Sequence, residues 1–258
     1  MLHRLKERKR EKLRGGRFPA AWREIMERNV PFFRHLPPAD RKELEEDVLV
    51  FLSEKSFEGA GGLKMTDEIK VTIAAQACIL LLHHKTDYYP GLYSIIVYPH
   101  AYIAQQKVQD GRGIIAEGLQ PRLGESWTQG AVVLSWDDVL SGAADTRDGR
   151  NVVFHEFAHQ LDGQDGSMDG APILTDHSMY ATWARVLGEE YERLQQETAL
   201  GRDTLLDQYG ASSPAEFFAV ATEFFFEKPR QLRAQLPQLY NELRRYYKQD
   251  PAQLFVYM

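Results

Sequence analysis

The five residues His155-Glu156-Phe157-Ala158-His159 place two imidazoles four positions apart with a carboxylate between them. On a helix, positions i and i+4 share one face, one turn apart. Both rings can then reach one zinc ion, at zinc–nitrogen distances of about 2.0–2.1 Å. Glu156, next to the first ring, can take a proton from water attacking a carbonyl and later hand it to the leaving amine. Val152, Val153 and Phe154 before the motif, and Phe157, Ala158 and Leu161 within and after it, mark the helix as buried. Polar groups on a buried helix are costly unless they have partners. The plainer explanation is a pair of partly buried histidines bonded to backbone groups or carboxylates.

A third ligand is needed. The chain has one cysteine, Cys78, so any metal must be held by His, Asp or Glu, and neither an internal disulfide nor a cysteine-rich zinc finger is possible. A metzincin continues HExxHxxGxxH; here those positions hold Asp162 and Asp165. Asp165 could bind metal, but the glycine of that pattern's tight turn is missing. The alternative is a glutamate from a later helix, as in His2Glu sites. The very apolar segment 213–226 carries Glu216 and Glu223 seven residues apart, two turns along one face. Glu216 has an ordinary explanation, because Ser213, Pro214 and Glu216 can form a capping box. Spacing alone leaves Glu216 and Glu223 both open.

The elements that must position these residues are mostly helical. Helices are expected over 20–34, 40–53 and from Thr66 to about Leu82, the last covering the apolar run Val71–Leu82. Twelve residues are too few for a bilayer that needs about 20, so the run is expected as a buried helix and no membrane segment is expected. Residues 92–98, 101–107 and 131–134 read as strands. Ser135 is a candidate N-cap for a following helix. The motif helix spans 151–162 and ends at Gly163. Helices follow over 180–198, 213–227 and 229–248. Helices, then a few strands, then helices predict an α+β fold with a small sheet. His83, His84, His100 and His177 are expected to have no role in chemistry.

At 258 residues, 43% hydrophobic and 26% charged, the chain is an ordinary globular protein of one large or two small domains. Its net charge of −6 is uneven: residues 1–17 carry eight basic groups and two acids, leaving −12 for the rest. Residues 1–18 are expected as a flexible basic arm, and 19–258 as one catalytic unit, with a helical part over 19–85 and a core over 86–258. No apolar stretch follows the charges, so the arm does not read as a secretory signal. An acidic body binds nucleic acid poorly. A cytoplasmic protein is expected.

The stretch Asn151–Asp162 followed by Ser213–Val220 resembles the Mlc titration factor A family of bacterial zinc peptidases. Leu134-Ser135-Trp136, Phe224-Phe225-Phe226 and Gln249-Asp250-Pro251 also fit it, so the resemblance runs from about Pro19 to Pro251. It implies a mostly helical, zincin-like gluzincin core similar to the catalytic domain of anthrax lethal factor. It implies one zinc ion held by His155, His159 and Glu216, with Glu156 as base. Glu223 and Asp162 become candidates for orienting the ligands. Lethal-factor-like sites also use a tyrosine seven residues before the glutamate ligand. Here that is Tyr209, whose phenol could bond a developing oxyanion. The resemblance further implies aminopeptidase-type action on short peptides and binding to the glucose repressor Mlc. The alternative is a repressor-binding regulatory protein with a structural zinc site. The segment Gly130–Leu134 is a candidate edge strand for holding an extended peptide.

Overall fold

The computed structural model describes residues 2–84, 87–109, 115–122, 124–127 and 130–254, with side chains described outside 2–3 and 102–127. The first third is helical: α1 (Leu2–Arg14), α2 (Ala20–Asn29), α3 (Pro31–His35) and α4 (Pro38–Glu54). The single helix expected over 20–34 is two. Pro31 has no N–H to give the preceding turn and disfavours helical geometry at Val30, whose φ/ψ is −126°/79°. After β1 (Ser56–Gly59), the Thr66 hydroxyl accepts the Ile69 N–H and starts α5 (Asp67–Ile79). Every residue of the run Val71–Leu82 is buried, and Cys78 is a core residue whose thiol pKa is pushed up by burial.

Among the described residues, five strands and seven α-helices follow: β2 (Ser94–Tyr98), β3 (Tyr102–Gln109), β4 (Ile115–Arg122), β5 (Gly124–Trp127), β6 (Ala131–Ser135), α6 (Trp136–Ala144), α7 (Val152–Asp162), α8 (Met179–Ala199), α9 (Pro214–Glu227), α10 (Pro229–Gln235), α11 (Pro237–Tyr247) and α12 (Pro251–Leu254). The helix expected over 229–248 is divided at Pro237, again by proline. The fold is α+β and mostly helical, as expected. One sheet has the order β1-β2-β6-β5, with β1, β2 and β6 parallel and β5 antiparallel to β6. β3 and β4 pair separately. The edge-strand expectation for Gly130–Leu134 is therefore corrected. β6 is hydrogen-bonded on both sides, so its backbone groups are taken, and among the described residues the edge strand beside α7 is β5.

The core is aromatic where the functional helices meet. Phe157 of α7 packs on Phe51 and Tyr89, at centroid distances of 5.8 and 4.8 Å, and Phe154 packs on Phe226 of α9 at 5.1 Å. Fully burying such a ring contributes about 1.5–3 kcal/mol. No described helix is long and apolar enough to cross a membrane.

The basic N-terminal segment differs from the expected flexible arm. It forms α1, packed on α4. The Arg10 side chain is 2% exposed and holds Glu54 with two bonds of 2.7 and 2.8 Å, while Arg14 donates to the Tyr88 hydroxyl. The charges that suggested a solvated tail are in part ion-pairing groups whose partners lie far along the chain.

Candidate metal centre

Local chemistry sets where α7 begins. The Asn151 side-chain oxygen accepts the Phe154 N–H at 3.0 Å, and its amide donates to Gln76 Oε1 at 2.9 Å. A cap residue is thus tied to the core helix α5, which fixes both the start of α7 and its rotation. Gly142 of α6 lies against that start, where a Cβ would come within 2.9 Å of the Arg150 carbonyl oxygen. α9 begins in the same manner, with the Ser213 hydroxyl accepting the Glu216 N–H at 3.2 Å and Pro214 in the first turn. Only half of the capping box forms, because the Glu216 carboxylate points elsewhere.

It points at the two histidines. Glu216 Oε2 lies 3.0 Å from His155 Nε2 and 3.3 Å from His159 Nε2, and the two nitrogens are 3.2 Å apart. α7 and α9 pack along one another, so a turn of each contributes. A tetrahedral zinc ion with bonds of about 2.0–2.1 Å has ligand–ligand edges of about 3.3 Å, which the three separations match. Two imidazoles and a carboxylate fit a divalent transition metal, and three protein ligands is the count of a catalytic rather than a structural zinc site. The Glu156 Oε2 atom is buried with no hydrogen-bond partner among the described residues, which suits a group that works on water or substrate.

The surroundings orient and charge this cluster. His155 Nδ1 lies 2.9 Å from Glu223 Oε1, so a proton on Nδ1 is donated to Glu223 and the Nε2 lone pair is left facing the cluster. Burial opposes the imidazolium of His155, but Glu216 and Glu223 outweigh it and hold its pKa well above the ordinary value. Burial raises Glu216, yet the two histidines outweigh that and keep it below the usual carboxylate range. Burial pushes Glu156 up to about 7, with His155 and His159 opposing. A cation among the ligands would reinforce that opposition.

Of the remaining candidates, Tyr209 sits on the rim, 57% exposed, its ring centroid 6.0 Å from that of His155. Asp165 is exposed in the turn after α7 and outside the cluster, its Oδ1 accepting the Ser167 N–H. Asp162 is buried but accepts the Gly170 N–H at 3.0 Å, and His159 Nδ1 has no hydrogen-bond partner among the described residues. Asp162 thus anchors the loop after α7. That loop crosses the first turn of α9 at Gly170 (φ +77°), where a Cβ would lie 2.5 Å from the Pro214 carbonyl oxygen. Trp183 donates its indole N–H to the Gly170 carbonyl at 3.0 Å, a supporting role that nothing in the local sequence signals.

Three further histidines lie in other settings among the described residues. His83 lies between Asp40 and Glu43 at 3.5 and 3.3 Å, but a different ring nitrogen faces each carboxylate, the pattern of a surface ion pair. His84 packs on Tyr246, and burial takes its pKa down to about 4. His100 pairs with Asp137 at the exposed start of α6.

Known proteins share this chain's pattern over nearly its whole length. An uncharacterized protein of Synechocystis sp. is 40% identical over 234 residues, covering 90% of this chain and 85% of that protein. Proteins named Mlc titration factor A are 30% identical: one from Klebsiella pneumoniae over 227 residues (87% of this chain, 84% of the relative) and one from Yersinia pestis over 235 (90% and 85%). Residues 4–248 match the family described as glucose-regulated metallo-peptidase M90, so α1, expected to stand outside the shared region, lies almost wholly within it. The chain belongs to this metallopeptidase family.

Proposed function

We propose that the chain is a zinc-dependent peptidase whose ion is held by His155, His159 and Glu216. The observation that supports it most is the convergence of three ligand atoms within 3.0–3.3 Å, with Glu156 beside them. When bound, zinc supplies Lewis acidity, polarising a carbonyl and acidifying water. Glu156 accepts the proton of the attacking water and delivers it to the leaving amine. The Tyr209 hydroxyl donates to the oxyanion that develops on the carbonyl. Glu223 holds the His155 ring. The β5 edge gives an extended peptide a backbone to pair with. Aminopeptidase-type action on short peptides in the cytoplasm belongs to the same proposal. The test is direct. Glu156→Gln keeps zinc and loses peptide hydrolysis, by about 100-fold or more for a general base, whereas Glu216→Ala loses tight zinc. Hydrolysis by metal-loaded Glu156→Gln would overturn the mechanism, and zinc held tightly by Glu216→Ala would overturn the ligand set.

The names of the relatives favour a second activity, binding of the repressor Mlc. Mlc capture by Glu156→Gln separates the two: unchanged capture makes binding independent of catalysis. A wild-type chain that binds Mlc and cleaves no peptide makes regulation the primary reading, with a structural zinc.

A further inference from the structure

The face of α7 that carries the imidazoles runs on by one more turn. At about 100° per residue, position 163 falls about 40° around the axis from His159 and about 20° from Glu156, and about 6 Å beyond His159 along it. That position is Gly163, the C-cap of α7, with φ of −73°. A Cβ there would meet the Met168 Sδ at 3.0 Å. Gly163 therefore leaves room for the Met168 side chain to lie over the end of the sector that presents His159 and Glu156. Met168 is 44% exposed. A single exposed apolar side chain is ordinary. This one stands beyond His159 while Tyr209 stands beside His155, so the two bracket the centre along α7.

The loop 163–170 holds Met168 in that place. Asp162 accepts the Gly170 N–H at 3.0 Å, and the Gly166 N–H bonds the Gly163 carbonyl at 3.1 Å. Gly170 in turn abuts Pro214, at the start of the helix that carries Glu216. Each end of the loop is thus fixed to an element that bears a proposed ligand. The loop also holds Asp165 and Asp169, both exposed, and no Lys or Arg. Its surface offers an apolar thioether flanked by negative charge. A methionine side chain is flexible and polarizable, and fits apolar groups of different shape. The carboxylates repel a like charge brought near them. On the zinc-peptidase reading above, we infer that Met168 forms a wall of the subsite for the substrate side chain next to the scissile bond. The protein then takes peptides with an apolar residue there and disfavours an acidic one.

Isothermal titration of the full, zinc-loaded chain with acetohydroxamate, isocaprohydroxamate and succinic monohydroxamate tests this. A hydroxamate chelates zinc through its two oxygens and leaves its tail to the adjoining subsite. Isocaprohydroxamate should bind about 10-fold more tightly than acetohydroxamate, the worth of roughly two buried methylenes. Succinic monohydroxamate should bind no more tightly than acetohydroxamate. Met168→Ala should cut the preference for the isocaproyl tail to about 2- to 3-fold, and Met168→Leu should keep it, since that swap conserves volume. Equal wild-type affinity for the isocaproyl and acetyl compounds, an intact preference in Met168→Ala, a lost one in Met168→Leu, or a preference for the succinyl tail would each overturn the subsite and leave the zinc centre standing. Acetohydroxamate that fails to bind, or binds as well after zinc is removed, would overturn the zinc centre and the subsite with it.

Discussion

Replacing Glu223 by alanine removes the acceptor of the His155 Nδ1 proton without touching any of the three proposed ligands. The bond is 2.9 Å long, and the two side chains are 13% and 9% exposed, so little solvent screens it. A hydrogen bond to a charged group under such conditions contributes about 1.5–3 kcal/mol, equivalent to roughly 10- to 150-fold at 1.4 kcal/mol per decade. That agrees with the roughly 10- to 100-fold loss of metal affinity seen when such orienting groups are removed. Glu223→Gln keeps an oxygen to accept the bond but loses the charge, so its loss should be several-fold smaller than that of alanine. Competition against a chelator of known affinity reads both values, and far-UV circular dichroism checks that α9 has formed. Affinity within about 2-fold of wild type in folded Glu223→Ala would show that packing alone orients the ring, and the reasoning from charge-assisted bonding would fail.

Three more perturbations probe the protonation of the centre, the anchoring of α1 and the loop at Gly170. In the metal-free chain, His155 is stabilising below its ordinary value of 6.5 and loses that contribution as pH rises through its raised folded value, while Glu216 contributes above 4.5 and loses it as pH falls. Zinc must displace the imidazole proton, so zinc affinity should rise with pH between these limits. Calorimetry in buffers of different ionisation enthalpy should detect proton release at pH 7, and its absence would contradict the assignment. Arg10→Ala strips Glu54 and Asp87 of their buried partner. With Glu54 15% and Asp87 50% exposed, the cost should be about 2 kcal/mol rather than the larger penalty of a fully buried pair, measured as a shift of the urea midpoint; no shift would mean that α1 is not anchored through this residue. Gly170→Ala puts a Cβ on the Pro214 carbonyl at positive φ, costing about 1–3 kcal/mol and weakening zinc binding, because Pro214 lies two residues from Glu216; an unchanged chelator competition would uncouple the loop from the site.

Features built from neighbours in sequence were legible in it. Thr66, Ser135, Asn151 and Ser213 cap the helices they precede, because a cap needs only its own next three residues. His155 and His159 share a face because helical geometry alone puts them there. The breaks at Pro31 and Pro237 are equally local, since a proline alone stops each preceding helix. Sheet order was not local: β5 covers β6 through pairing that no composition signals, which moved the free edge to another strand.

By itself, then, the sequence determined a buried helix presenting His155, Glu156 and His159, and a later apolar helix offering two glutamates on one face. Which glutamate meets the imidazoles depends on how α9 slides and rotates against α7, a matter of packing between segments some sixty residues apart. Only the tertiary structure decided that Glu216 closes the cluster while Glu223, two turns along, bonds the far side of the His155 ring. The same holds for Arg10, whose charge reads as solvated until Glu54, 44 residues on, is folded against it. Helical geometry is written into each segment, whereas the partner of a buried charge is fixed only when distant segments exclude water together.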